Sequence, residues 1–255
     1  MKEVKAKKFL GQHFLTDESI AVRIVESLSG QTSNVIEIGP GMGVLTKYLI
    51  KKPELNFHVI EIDCESVAWL HEYYPTLDVI EGDFLKLDLS ALFHDSFAIV
   101  GNFPYNISSQ ILFRLFECRN QAVELVGMFQ KEVAERVSAG PGSKTYGILS
   151  VLLSAFYNIE YLFTVSEHVF NPPPKVKSAV IRLTRNNVSS LECDEKLFVQ
   201  VVKAGFNQRR KTLRNALRSA NLPLDAVNEV FLGKRAEQLS VHEFILLTQS
   251  IQSCL

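Results

Sequence analysis

The sequence predicts an α/β protein built on a mostly parallel, doubly wound sheet, with a small all-α domain after it. Three observations predict this. From residue 34 to about residue 184, short apolar runs alternate with stretches of helical periodicity, the pattern of strand–helix–strand units. From about residue 187 only helical periodicity remains. Gly39, Glu61, Asp83 and Asn102 each fall at the end of one of the first four predicted strands, and open α/β sheets bind ligands at the carboxyl ends of their strands. We therefore expect a ligand-binding domain over 1–186, opened by a basic arm at 1–15, and a helical domain over 187–255.

The chain has 255 residues, 47% of them hydrophobic and 22% charged, which is the composition of a soluble globular protein. A chain of this size buries roughly 70–75% of its unfolded surface. Cys64, Cys118, Cys193 and Cys254 are scattered and form no C-x-x-C, so a reduced, cytoplasmic compartment is expected. No apolar run approaches the roughly 18 residues that span a bilayer, and the basic N-terminus lacks the apolar core of a signal peptide. The net charge of −1 hides a segregation. Lys2, Lys5, Lys7 and Lys8 open the chain against Glu3 alone. No acid occurs from His168 to Leu191, which holds Lys175, Lys177, Arg182 and Arg185. None occurs from Lys196 to Leu224 either, where Lys203, Arg209, Arg210, Lys211, Arg214 and Arg218 accumulate. A merely solvated basic face is one reading; a side that meets a polyanion, above all a nucleic acid, is the stronger one.

In chain order, residues 9–15 combine aromatics with Gln12 and His13 ahead of a first helix that Thr16 or Asp17 can cap. They form either an arm over a ligand or a frayed end. The helix carries the stripe Ile20, Ala21, Ile24, Val25, Leu28. Asn34–Ile38 reads as a strand and runs into Glu37-Ile38-Gly39-Pro40-Gly41-Met42-Gly43, then a helix to about Ile50. Glycines let this backbone turn tightly and approach a ligand. The dinucleotide fingerprint G-x-G-x-x-G needs Gly at 44, where this chain has Val. The second strand, Phe57–Ile62, places Glu61 at its tip, positioned to grip ribose hydroxyls. The third, Leu77–Glu81, precedes Gly82-Asp83-Phe84, which suits an adenine amino group and ring but is also ordinary turn chemistry.

The fourth strand, Phe97–Gly101, is followed by Asn102-Phe103-Pro104-Tyr105. Such a tetrapeptide at a strand end can hold an exocyclic amino group of a flat base, although by itself it serves equally as a turn with an aromatic plug. Its place after the three preceding strand ends favours the first reading. A helix over Ile107–Cys118, a strand over Val123–Phe129, a helix over Gln130–Ala139, a Gly/Ser-rich loop over Ser138–Tyr146 and a helix over Gly147–Phe156 follow. The last strands are Ile159–Val165 and Lys177–Thr184, separated by Phe170-Asn171-Pro172-Pro173-Pro174-Lys175, a stiff corner. In the helical part, Leu197, Phe198, Val201, Val202 and Phe206 make one stripe and Leu213, Ala216, Leu217 and Ala220 the next. Ser240-x-x-Glu243 is a capping box.

Over essentially its whole length the chain resembles the small-subunit ribosomal RNA adenine dimethyltransferases of the bacterial KsgA type. The resemblance rests on Gly11–Leu15, Glu37–Gly43, Gly82–Phe84, Asn102–Tyr105, Met128–Arg136, Phe170–Val176 and Phe206–Asn215. The acid-x-Gly-x-Gly-x-Gly form is likewise the one seen in methyltransferases that use S-adenosylmethionine. The resemblance implies a Rossmann-like methyltransferase sheet and S-adenosylmethionine as cofactor. It also implies a cofactor site made by Gln12, His13, Leu15, Gly39, Gly41, Glu61, Ile62, Asp83, Phe84 and Asn102. Asn102, with Pro104, would face the target base, and Tyr105 and Phe170 would stack on it. Lys175, Lys177, Arg209, Arg210, Lys211, Arg214 and Arg218 would contact RNA. The implied reaction is dimethylation of N6 on two adjacent adenosines near the 3′ end of the small-subunit RNA. The partners would be that RNA and the pre-assembled small subunit. The family more often has Asn where this chain has His13, which makes that position pH-sensitive, and Leu where it has Phe103, expected to act through its backbone.

The six histidines show no ligand spacing, so no metal is expected, and no exposed apolar helix invites dimerisation, so a monomer is expected. Three other readings compete. One is a large-subunit RNA adenine methyltransferase of the macrolide-resistance kind, against which Gln130–Arg136 and Phe206–Asn215 argue. A second is an assembly factor with little catalysis, against which the intact cofactor residues argue. A nicotinamide dehydrogenase is the third and would have no use for Asn102–Tyr105.

Overall fold

A computed structural model describes residues 4–255; Lys2 of the basic arm lies outside them. The strands and helices run, in order, β1 (Phe14–Leu15), α1 (Glu18–Glu26), β2 (Asn34–Ile38), α2 (Thr46–Leu49), β3 (Asn56–Glu61), α3 (Cys64–Tyr73), β4 (Asp78–Glu81), α4 (Leu89–Leu92), β5 (Phe97–Asn102), α5 (Ser108–Glu117) and β6 (Ala122–Gln130). They continue with α6 (Lys131–Val137), α7 (Ile148–Ser154), β7 (Tyr157–Val165), β8 (Phe170–Asn171), β9 (Ser178–Arg185), α8 (Glu195–Asn207), α9 (Leu213–Ser219), α10 (Glu229–Gly233) and α11 (Val241–Gln252). The chain divides into two compact units. One holds the residues up to Ala134 with Ile159–Arg185, the other Glu135–Asn158 with Asn186–Leu255. The second unit thus takes in residues 135–158, on the N-terminal side of the boundary expected at 186.

The seven-stranded sheet has the order β4-β3-β2-β5-β6-β9-β7. β2, β3, β4, β5 and β6 pair in parallel, and β9 pairs antiparallel with β6. The mostly parallel expectation holds because each of these strands returns through a helix. The central strands read as unbroken apolar runs, since helices cover both faces. In β5, Phe97, Ala98, Ile99 and Val100 are all buried. Ala21, Ile24 and Val25 of α1 and Leu45 and Leu49 around α2 pack with Val35, Ala98, Val100 and Val126 on one face. Each buried Val, Leu or Ile among them contributes about 1.5–3 kcal/mol. Asp17 caps α1 by accepting from the backbone N–H of Ser19 at 2.9 Å and of Ile20 at 3.4 Å.

Chain order reverses between β2 and β5, and the crevice opens there. A second, two-stranded sheet pairs β1 with β8, antiparallel, with Leu15 opposite Phe170. It ties the N-terminal arm to the proline-rich corner.

At the tip of β5 the Phe103 ring does more than was expected of it. It is 1% exposed and lies 4.9 Å from the Phe129 ring, over two glycines. A Cβ on Gly127 would stand 1.9 Å from the Phe103 ring, and one on Gly101 2.7 Å from it. These glycines make room for the larger residue at 103.

In the second unit, α8 buries Leu197, Phe198, Val201 and Val202, and α9 buries Leu213, Ala216 and Leu217. Phe206 lies 5.9 Å from both Tyr146 and Phe244. The expected capping box opens α11: Ser240 N–H donates to Glu243 at 2.8 Å, and Glu243 N–H to Ser240 Oγ at 3.2 Å.

Gly127→Ala is predicted to push the Phe103 ring off its bed and destabilise the fold by about 1–3 kcal/mol, an overpacking cost. Denaturant unfolding checks this; an unchanged midpoint would show that the ring has room to move.

Candidate active site

At the carboxyl ends of β2, β3, β4 and β5 lies a cavity of about 210 Å³. Its walls are the Gly39–Met42 loop, Glu61–Ile62, Gly82–Leu85, Asn102–Ile107 and the arm from Leu10 to Leu15. Every residue expected to hold the cofactor, from Gln12 through Asn102, lines it. Gly41 is required where it stands: its φ is +57°, and a Cβ there would meet the Phe14 ring at 2.8 Å. The arm therefore packs directly on the glycine loop.

Glu61 is 4% exposed. One oxygen accepts from Gly41 N–H at 3.1 Å, the other from Ile62 and Asp63 N–H at 2.8 and 2.9 Å. Burial pushes its carboxyl up, against those three bonds. A carboxylate offers about four acceptor positions, so capacity for a hydroxyl remains. Glu37, at the start of the glycine motif, is 1% exposed and accepts from Thr46 Oγ1 at 2.7 Å. Burial, with the nearby Glu61 charge, raises its pKa to about 8. Asp83 accepts from Leu85 N–H at 3.0 Å and faces Lys86 Nζ at 3.3 Å, and Phe84 is buried beside it.

The arm is latched rather than frayed. Lys7 Nζ pairs with Asp63, and Gln12 Nε2 donates to the other Asp63 oxygen at 3.2 Å. Gln12 Oε1 accepts from Lys7 N–H at 2.8 Å. Gln12 thus lines the cavity while its amide is spent on holding the arm. Burial works against ionising Asp63, but the bonds from Lys7 and Gln12 prevail and its pKa is lowered.

Asn102 Nδ2 donates to the His13 main-chain oxygen at 2.9 Å. A carbonyl can only accept, so the amide orientation is determined and Oδ1 points away. Among the described residues nothing donates to that oxygen. The His13 ring bonds through Nδ1 to the Pro172 oxygen at 2.8 Å and lies 5.3 Å from the Tyr105 ring. The tautomer with its proton on Nδ1 is therefore the one held. Tyr105 OH bonds to the buried Ser178 Oγ, which holds the ring in place, and burial pushes its phenol up. The Pro104 oxygen closes a turn, accepting from Ile107 N–H and Ser108 Oγ, both at 3.3 Å.

A second, more open cavity of about 610 Å³ shares Gly11, Gln12, His13, Tyr105 and Asn106 with the first. Ala6, Lys8, Gln130, Pro172–Pro174, Lys175 and Val176 complete it. Phe170 corrects an expectation: it lines neither cavity, is 4% exposed, and packs with Leu15 and Val180 in the core. Its pairing with Leu15 in the small sheet turns the ring inward. Gln130, read from sequence as the first residue of a helix, is instead the last residue of β6.

Of the expected RNA contacts, Lys175 and Lys177 are exposed in the first unit. In the second, Arg210, Lys211 and Arg218 are exposed, Arg209 donates to the Lys144 carbonyl, and Arg214 pairs with Glu229. Among the described residues no group of three His, Cys, Asp or Glu side chains is placed to hold a metal, and no helix is long and apolar enough to cross a membrane.

Fold and site together define a Rossmann-like methyltransferase. Residues 3–253 match the family described as ribosomal RNA adenine dimethylase, and the chain belongs to it. Ribosomal RNA small subunit methyltransferase A of Cytophaga hutchinsonii is 61% identical, over 98% of this chain and 99% of that protein. A dimethyladenosine transferase from Plasmodium falciparum superposes with a TM-score of 0.79 at 27% identity, over 94% of this chain and 98% of that one. The 23S rRNA methyltransferase ErmE superposes with a TM-score of 0.71 at 25% identity, over 94% and 99%.

Glu37 makes stability pH-dependent. Folded, it keeps its proton up to about pH 8, whereas unfolded it loses it near 4.5. The stability it contributes is complete below the lower value and is lost as pH rises toward the upper. Glu37→Gln is neutral at every pH, so its melting temperature should rise relative to wild type between about pH 5 and about pH 8. A difference that stays constant over that range would mean Glu37 is ionised in the fold.

Proposed function

We propose that this chain transfers methyl groups from S-adenosylmethionine to N6 of two adjacent adenosines near the 3′ end of small-subunit ribosomal RNA, two to each. It works in the cytoplasm, as a monomer on a partly assembled subunit. The observation that carries the site assignment is the locked Asn102 amide, whose oxygen has no donor among the described residues, on a strand tip that lines the cavity.

Adenine N6 is a weak nucleophile because its lone pair is delocalised into the ring. Asn102 Oδ1 accepts one amino hydrogen and the Pro104 oxygen the other, and the Ser108 hydroxyl rotates away to release the latter. Both bonds favour a pyramidal nitrogen whose lone pair can attack, and the proton that the nitrogen sheds with each methyl it gains passes to water at the cavity mouth. Tyr105 supplies a ring for the base to stack on, worth about 1–3 kcal/mol. The chain aligns and desolvates the reactants. The cofactor, when bound, supplies an electrophilic methyl group on a sulfonium. Glu61 would take the ribose hydroxyls, Asp83 and Phe84 the adenine, and the Gly39–Gly41 turn and the His13–Leu15 arm the amino-acid tail.

The target adenine must leave its stack, which costs a few kcal/mol in a duplex and less in a loop. Lys175 and Lys177, and in the second unit Arg210, Lys211 and Arg218, offer exposed cations for phosphates. We assign the second unit to RNA binding on that ground. Arg214, neutralised by Glu229, contributes less. The free cysteines agree with a reducing compartment. Likeness to ErmE supports the large-subunit reading only at 25% identity, against 61% for the small-subunit relative.

Labelled-methyl S-adenosylmethionine offered with unmethylated small subunits and, separately, large-subunit RNA tests this. The expected label is N6,N6-dimethyladenosine in small-subunit RNA alone. Label only in large-subunit RNA would overturn the substrate, and binding of small subunits without transfer would leave an assembly factor.

A further inference from the structure

Gln130 ends β6 two residues beyond Met128, which pairs with Asn102 of β5. Its Cα partner on β9 is Ser178. Residues directly opposite in an antiparallel pair project to the same face, and the Ser178 hydroxyl on that face holds Tyr105. The Gln130 side chain therefore stands beside the Tyr105 ring and lines the open cavity with it and His13. It is half-buried, and its amide has no hydrogen-bond partner among the described residues. Three neighbouring side chains are engaged: His13 with Pro172, Tyr105 with Ser178, and the Asn102 nitrogen with His13. A half-buried amide without a partner, next to the stacking ring and one strand from Asn102, has the chemistry of a base reader.

We propose that Gln130 is a specificity-determining residue whose amide N–H donates to a ring nitrogen of the target adenine. This rests on the reading that the base stacks on Tyr105 from the open cavity. Asn102 and Pro104 take the amino hydrogens and cannot by themselves tell adenine from another amino-bearing base. Adenine flanks its amino group with two bare acceptors, N1 and N7. An amide N–H at N1 accepts adenine and rejects guanine, which carries a proton there; one at N7 excludes pyrimidines. Losing such a bond leaves a polar group unpaired, which is how sites of this kind discriminate.

The test uses small subunits reconstituted with RNA whose 3′ segment carries adenosine, 1-deazaadenosine or 7-deazaadenosine at the target. Gln130→Ala is expected to lower kcat/KM on adenosine about tenfold with cofactor affinity unchanged. One deaza substitution should cost wild type a similar factor and cost Gln130→Ala nothing further. Deaza losses that are equal in both enzymes would overturn the proposal, as would an unchanged kcat/KM in Gln130→Ala. Tyr105→Ala, measured alongside, separates the two levels. If it too leaves kcat/KM unchanged, the placement of the base fails; if it loses activity while Gln130→Ala does not, only the reader role fails.

Discussion

A single hydrogen bond, from the Asn102 side-chain nitrogen to the main-chain oxygen of His13, organises the site. It fixes which way round the Asn102 amide lies in the cavity wall, and it needs the arm to lie where it does. The arm is held in place by several contacts. Lys7 and Gln12 grip Asp63, Phe14 packs on Gly41, His13 reaches Pro172, and Leu15 pairs with Phe170. Asp63 in turn donates its N–H to Glu61 and caps α3. The groups expected to hold a cofactor and the group expected to face the base therefore share one scaffold. A disturbance of the arm reaches both.

The same geometry accounts for the two positions, 13 and 103, where the resemblance led to the expectation of another residue. At position 13 it is the main-chain oxygen that orients Asn102, so the side chain is free to be a histidine that fastens the proline-rich corner instead. At position 103 the phenylalanine ring is larger than the leucine the resemblance led to expect, and Gly101 and Gly127 on two neighbouring strands give it space. The backbone of Phe103 still donates to the Met128 oxygen at 3.2 Å, so Asn102 and Pro104 keep their places.

Much of this was legible in sequence. Gly39, Glu61, Asp83 and Asn102 were readable because apolar runs mark strands and ligands gather where parallel strands end. What stayed hidden depends on contacts between distant residues. The pairing of Leu15 with Phe170 cannot be seen in either local sequence, and it turns Phe170 into the core. Gln130 reads as helix because the helical residues after it extend the pattern backward, while its ladder to Ser178 keeps it in the strand. Charge runs count cations but not their partners: Glu229 lies outside the acid-free stretch and still neutralises Arg214. The latch of Lys7 on Asp63 is likewise invisible, since lysines in a basic opening segment look alike.

The central claim is that the Asn102 oxygen activates the target nitrogen. The most direct measurement is the single-turnover rate of methyl transfer by Asn102→Ala on small subunits, with folding and RNA binding checked in parallel. The account predicts a fall of about a hundredfold or more in a protein that still folds and still binds the subunit. Transfer at the wild-type rate would contradict it and move the activating role elsewhere in the cavity.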